Sequence, residues 1–156
     1  LRFAVKLSEL FNEQNIFLDV EPGPKKELLE RILKRLDAKH LIADFDHVLR
    51  DVIEREKVMS TGIGSGVAIP HAYTDGVDQL VAGFFRTSAG VDFAALDGEA
   101  VTLFFIILGP KASRRDHIKI LAKISRLLNH ESFRDELRKA ADVEAVLNVF
   151  KRFGDR

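Results

Sequence analysis

Apolar residues recur along this chain in two rhythms, and their alternation lays out its elements. Leu28, Leu29, Ile32, Leu33 and Leu36 fall at helical spacing with Lys, Glu and Arg between them, predicting an amphipathic helix to about residue 38. Glu21-Pro22-Gly23-Pro24 is a turn ahead of it, with Pro24 suited to its first position. Phe45, Val48, Leu49, Val52 and Ile53 repeat the pattern behind Asp44, a good N-cap, and that helix should fade near Arg55 to Lys57. A third helix opens at Ser113-Arg114-Arg115-Asp116, which has capping-box character, with Leu121, Ile124 and Leu128 inward and His117 in register with them. Ser132 is expected to cap a short helix. Asp142 is expected to cap a last one, with Val143, Val146, Leu147 and Phe150 inward and Gly154 near its end.

Between these helices stand short unbroken apolar runs. Ile16-Phe17-Leu18, Val67-Ala68-Ile69, residues 80–86 and residues 101–108 read as strands. The run 101–108 (VTLFFIIL), closed by Gly109-Pro110, has the β-branched and aromatic content of a central strand buried on both faces. Residues 72–76 read as a turn, and 91–98 as a loop anchored by Phe93 and Leu96. Residues 1–12 carry apolar side chains without a clean period, as a strand, short helix or ordered arm. With no internal repeat or linker, the whole of 1–156 is expected to be a single α/β layered domain.

Composition narrows the function classes. Lys+Arg and Asp+Glu are both 24, so the formal net charge is zero and broad attraction to nucleic acid or anionic membrane is not supported. There is no Cys, which removes disulfides, thiolate metal sites and a thiol nucleophile. No apolar run approaches the ~18 residues that suggest a membrane span, and the N-terminus lacks a signal-peptide pattern. These features fit a cytoplasmic protein with no direct membrane insertion. The sequence begins at Leu1, which leaves room for a segment of a longer protein.

The candidate chemistry gathers at Arg55–Ala72 (REKVMSTGIGSGVAIPHA). A polar stretch with Ser60, Thr61, Gly62, Gly64 and Gly66 leads through Val67-Ala68-Ile69-Pro70 to His71. Pro70 fixes the backbone just before the histidine, and the glycines look like clearance for a partner protein and an incoming group. His117 falls in the first turn of its helix, where free N–H groups and the dipole favour an anion. Arg55 can meet a phosphate as a bidentate donor. Each alone has a plainer reading: His71 a strand-end polar residue, His117 a residue bordering an apolar face, Arg55 one of many arginines. His40 and His47 read as surface or edge histidines. Together, a nucleophilic imidazole with cationic and hydroxyl donors around it suits phosphoryl transfer. The glycines do not have the G-x-x-x-x-G-K-[ST] spacing of a nucleotide P-loop. A metal-dependent hydrolase using His71 and His117 is a remote alternative without an evident third ligand.

These residues carry a resemblance. Glu56, then Ile63-Gly64, then Val67-Ala68-Ile69-Pro70-His71-Ala72 match the long signature of enzyme IIA of the bacterial phosphoenolpyruvate-dependent phosphotransferase system, of the fructose/mannitol/nitrogen-regulatory type. DFAALDG and HIKILAKISRLL extend the similarity, which runs from about Leu7 to the last helix. The resemblance implies a mixed β-sheet with helices packed on both faces. It implies that His71 accepts a phosphoryl group from a histidine phosphocarrier protein, that Arg55 is the family's arginine sixteen residues before that histidine, and that His117 contacts the phosphoryl group without carrying it. It implies too that Ser60 and Thr61 line the pocket and that no metal or other cofactor is required. The onward partner is either a regulatory target, in the nitrogen-regulatory branch, or a cysteine on enzyme IIB, in sugar transport. The wording STGIGSGVAIPH and the absence of a fused IIB domain favour regulation. A sensory IIA module of a larger transporter or regulator is a third version. Many family members have Arg or Lys two residues after the active histidine; this chain has Tyr73.

Overall fold

The computed structural model describes residues 6–154. Along them run α1 (Leu7–Leu10), β1 (Ile16–Val20), α2 (Lys25–Ala38), α3 (Phe45–Val58), β2 (Gly62–Gly64), β3 (Val67–Ala68), β4 (His71–Tyr73), β5 (Val81–Val91), β6 (Val101–Gly109), α4 (Arg114–Leu128), α5 (Glu131–Lys139) and α6 (Val143–Gly154). A single 3-10 turn at Lys111–Ser113 leads into α4. The reading of residues 1–12 is met by α1 where it covers described residues; residues 1–5 lie outside them.

The six strands form one mixed sheet in the order β1-β5-β6-β3-β2, with β4 also on β6. β1 runs parallel to β5, β5 antiparallel to β6, and both β3 and β4 parallel to β6. As its composition predicts, β6 lies at the centre and is buried on both faces. Leu103, Phe105 and Ile107 face a core closed by α1, α4, α5 and α6. Phe104, Ile106 and Leu108 face a second core closed by α2 and α3. Helices therefore cover both faces, and each large apolar side chain so buried contributes about 1.5–3 kcal/mol.

The boundaries differ from the sequence reading in instructive ways. Pro24 is the N-cap of α2 rather than its first residue. Asp44 caps α3 as expected, its Oδ1 accepting from the His47 amide at 3.2 Å. Asp142 caps α6 likewise, accepting from the Ala145 amide at 2.9 Å. Ser113 makes no side-chain capping bond; it closes the preceding 3-10 turn, its amide donating to the Pro110 carbonyl at 2.9 Å, and its backbone (φ −101°, ψ 23°) is not in the extended conformation typical of an N-cap. His130, not Ser132, is the N-cap of α5. Phe93 is fully buried, whereas Leu96 is 72% exposed and ties the loop through its amide, which donates to the Gly62 carbonyl at 3.1 Å, rather than through its side chain.

The largest departure concerns residues 60–76. The glycine stretch is a β-hairpin: β2 and β3 pair antiparallel with Gly64 opposite Val67. Ser65 and Gly66 have φ of 57° and 77°, the left-handed pair that a tight two-residue turn requires. At Gly62 a side chain would come within 2.9 Å of Ala95, so that glycine permits a close backbone pass. The glycines thus serve the hairpin and its packing. Residues 72 and 73, read as the start of a turn, are strand together with His71. His71, Ala72 and Tyr73 pair with Ile107, Leu108 and Gly109 in the same register in which Val67 and Ala68 pair with Leu103 and Phe104. β3 and β4 are one strand broken in name by Pro70, which has no N–H to give; its carbonyl still accepts from the Ile107 amide at 3.0 Å.

Candidate functional site

The unbroken register decides where the histidine points. Alternate residues of a strand share a face. Ala72 joins the α2/α3 core, so His71 and Tyr73 look toward the face that α4 covers. From α4, His117 descends between them. Its ring centroid lies 6.0 Å from that of His71 and 4.5 Å from that of Tyr73. Gly109, the cross-strand partner of Tyr73, leaves the space His117 occupies: a side chain there would sit 3.2 Å from His117 Nδ1. His117 is the fourth residue of α4, at the end of the first turn, near the position expected of it.

His71 is half-buried. Its Nδ1 lies 2.7 Å from the carbonyl oxygen of Ile69. A carbonyl can only accept, so Nδ1 carries the proton and donates. The lone pair then resides on Nε2. Burial is the main force on the imidazole's basicity, lowering its pKa below the ordinary histidine value. The Ile69 hydrogen bond opposes this, the positive charge of Arg55 adds to it, and Glu56 opposes it. His71 is therefore neutral and nucleophilic at neutral pH.

His117 is fully buried, and among the described residues neither ring nitrogen has a hydrogen-bond partner. Burial, reinforced by the neighbouring His71, pushes its pKa down to about 4. An unsatisfied buried polar group costs about 1–3 kcal/mol. Such a cost concentrates where a ligand completes the set, and an anion on His71 would supply an acceptor for a ring N–H.

Arg55 lies in the last turn of α3, on the helix layer of the opposite face of the sheet from α4. Its Nη1 donates to the Met59 carbonyl at 3.1 Å, which holds the guanidinium where its charge acts on His71.

The two hydroxyls are differently engaged. Ser60 Oγ donates to the Phe93 carbonyl at 2.7 Å and accepts from the Gly62 amide at 3.0 Å. Thr61 is buried, and its Oγ1 donates to Glu56 Oε1 at 2.7 Å. Both protons are committed to shaping the segment that leads into β2.

That segment is held by a carboxylate to which the sequence reading gave no mechanical part. Glu56, 8% exposed, accepts the Thr61 amide at 2.7 Å on Oε2 and pairs with Lys25 Nζ at 2.7 Å. Lys25, from the start of α2, also donates to the Phe93 carbonyl at 3.2 Å and lies 4.4 Å over the Phe93 ring. Tyr73 and Arg114 complete the surroundings, the guanidinium carbon lying 4.7 Å over the tyrosine ring. Glu56 appears in the signature, but nothing local ties Lys25 or Arg114 to the site; their roles arise from tertiary contact. His40 and His47 lie elsewhere, His40 exposed with φ of 62° and His47 paired with Asp51 at 3.2 Å. Among the described residues no group of three or more His, Cys, Asp or Glu gathers as a metal site, so the two-histidine metal reading finds no third donor. No helix among them is long and apolar enough to cross a membrane.

Comparison with known proteins follows the same outline. The family model described as the phosphoenolpyruvate-dependent sugar phosphotransferase system, EIIA 2, matches residues 9–153. A nitrogen regulatory protein of Pseudomonas aeruginosa is 32% identical over 145 residues, spanning 93% of this chain and 94% of that protein. A fructose-specific EIIA component of the phosphotransferase system from Haloferax volcanii is 37% identical over 134 residues, spanning 86% and 87%. The crystal structure of nitrogen regulatory protein IIA-Ntr from Neisseria meningitidis superposes with a TM-score of 0.85 at 35% identity, covering 92% of this chain and 98% of that one.

Proposed function

Because this chain belongs to the EIIA 2 family of the phosphoenolpyruvate-dependent sugar phosphotransferase system, we propose that it is a phosphocarrier whose His71 takes a phosphoryl group from a histidine phosphocarrier protein on Nε2. The observation that carries this reading is the 2.7 Å contact between His71 Nδ1 and the Ile69 carbonyl, which leaves Nε2 as the free nucleophile. The Nε2 lone pair forms a new N–P bond as the donor's N–P bond breaks. A donor phosphoimidazole protonated on its far nitrogen leaves as a neutral imidazole, and the His71 proton stays on Nδ1, donated to the Ile69 carbonyl, so no proton crosses the site.

Charge on the transferring group spreads over its equatorial oxygens, and the site meets it with preorganised donors. Arg55 supplies the guanidinium. His117 supplies a ring N–H that has no competing acceptor among the described residues and gives up no hydrogen bond when it donates to a phosphoryl oxygen. Ser60 and Thr61 act chiefly through the backbone shape they impose; a direct contact from either hydroxyl to the phosphoryl group would cost it a 2.7 Å hydrogen bond.

The role favoured for the phosphorylated protein is signalling in the nitrogen-regulatory branch, where phosphorylation alters which target proteins it binds. The likeness to nitrogen regulatory proteins and to IIA-Ntr supports it. The 37% identity to a fructose-specific EIIA component supports a second reading, onward transfer to a cysteine of enzyme IIB. Incubation with enzyme I, phosphocarrier protein and labelled phosphoenolpyruvate is expected to label the wild type and leave His71→Ala unlabelled. Normal labelling of His71→Ala would overturn the assignment. Adding a fructose-type IIB domain then separates the branches: label retained on His71 supports signalling, and label moved to the IIB cysteine supports transport.

A further inference from the structure

His117 raises a mechanical question. A functional imidazole ordinarily has one ring nitrogen tied by a hydrogen bond, which fixes both tautomer and orientation. Here neither nitrogen is tied among the described residues, although the side chain is fully buried. Something other than a hydrogen bond must stop the ring from turning. Its surroundings name two restraints. Gly109 lies under Nδ1, too close to admit a side chain without crowding the ring. Tyr73, on the same rung of the sheet as Gly109, lays its ring 4.5 Å from His117 at an interplanar angle of 45°.

Tyr73 is itself held from α4. Arg114 and His117 are three residues apart on that helix, so their side chains neighbour each other on one surface. Both lie against the Tyr73 ring, with the Arg114 guanidinium carbon 4.7 Å above it. A half-buried tyrosine from the strand that bears His71 is thus gripped by two side chains of the helix that bears His117.

We propose that Tyr73 is a positioning residue for the transfer reaction, fixing the His117 ring by stacking in place of a hydrogen bond, and that Arg114 clamps Tyr73 in that pose. The inference rests on the phosphocarrier reading above. Tyr73 does not touch the phosphoryl group; it acts through His117. The planar guanidinium suits Arg114 to the task, because it can lie flat on an aromatic face and add stacking to the cation–π attraction that a lysine ammonium offers alone.

The test is single-turnover phosphoryl uptake from phosphorylated carrier, measured across carrier concentration, together with NMR signals of the His117 ring, in the full chain. Tyr73→Leu removes the ring. It is expected to lower the saturating rate about tenfold, since a misplacement of about 1 Å can cost about 100-fold and the loosened ring is displaced by less than that. Half-saturation should change less than about twofold on the same account, because docking is untouched. The His117 ring signals should lose the upfield displacement imposed by the tyrosine ring. Tyr73→Phe keeps the ring and is expected to restore the rate and those signals. Arg114→Gln, at an exposed position, is expected to shift the His117 signals in the same direction as Tyr73→Leu by a smaller amount, and it reports on the clamp even if Tyr73→Leu folds poorly. A wild-type saturating rate with wild-type His117 signals in Tyr73→Leu overturns the proposal, as does a change confined to half-saturation. Unmoved His117 signals in Arg114→Gln overturn the clamp. The two levels separate cleanly: labelling of His71→Ala defeats the phosphocarrier reading, whereas a labelled wild type with an indifferent Tyr73→Leu defeats this inference alone.

Discussion

His71 and His117 are both imidazoles in the site, and burial acts on both in the same direction with different consequences. In His71 the lowered pKa keeps the nucleophile unprotonated below the ordinary value of 6.5. Phosphoryl uptake should therefore persist as pH falls through 6.5 and be lost only at lower pH, which a pH–rate profile checks. In His117 the effect is a stability cost. The unfolded chain has an imidazole near 6.5, and the folded one is held at about 4. Between those values the unfolded state binds a proton that the folded state does not, so stability falls as pH falls through the window. The loss reaches about 3 kcal/mol at the acid end. His117→Leu should flatten that part of the stability curve measured by urea unfolding, while slowing phosphoryl uptake. At this scale the sequence made His71 legible, because Pro70 and the apolar run before it mark a fixed strand end. It could not give the tautomer. That depends on the Ile69 carbonyl turning back to Nδ1, a local geometry with no compositional trace.

Among the elements, the α2 and α3 helices and the central β6 strand were legible because their apolar spacing is unambiguous. The hairpin of β2 and β3 was hidden by its glycines, which suggest flexibility until Ser65 and Gly66 are seen in a tight turn and Glu56 is seen holding Thr61. β4 was hidden by Pro70, which ends a strand in sequence terms but here costs one hydrogen bond and leaves the register intact. Glu56 should therefore matter more than an acidic residue at a helix end usually does. Glu56→Ala leaves the Thr61 amide and Lys25 without their carboxylate, and the expected loss is about 2–4 kcal/mol in chemical denaturation. Glu56→Gln retains the acceptor for the Thr61 amide and should lose less. A silent Glu56→Ala would mean that the segment before β2 is held by other contacts. At Gly109, an added side chain meets Leu80 at 2.7 Å and His117 Nδ1 at 3.2 Å. The leucine end can move and the imidazole cannot without leaving the site, so Gly109→Ala should reduce uptake more than it reduces stability.

On the scale of the whole molecule, the sheet brings together groups from both of its faces: Arg55 from α3 on one side and His117 from α4 on the other, with His71 on the strand between them. The sequence indicated the layers, through strands interspersed with helices, but not which helix ends converge. That convergence is set by β4 running parallel to β6 with its end beside the start of α4. Exposed apolar side chains lie next in sequence to the proposed site residues, Val58 and Met59 just beyond Arg55 at the end of α3 and Ile118 beside His117. Met59→Asp and Ile118→Asp should each raise the carrier concentration needed for half-maximal uptake, with the saturating rate retained, if these residues contact the docked carrier. The central claim, that His71 accepts the phosphoryl group on Nε2, is tested most directly by NMR of the phosphorylated protein, correlating the phosphorus with the ring nitrogens and protons. The account predicts a single phosphohistidine at position 71 bonded through Nε2, with Nδ1 still protonated toward Ile69. A phosphoryl group on Nδ1 of His71, or on His117, would contradict it.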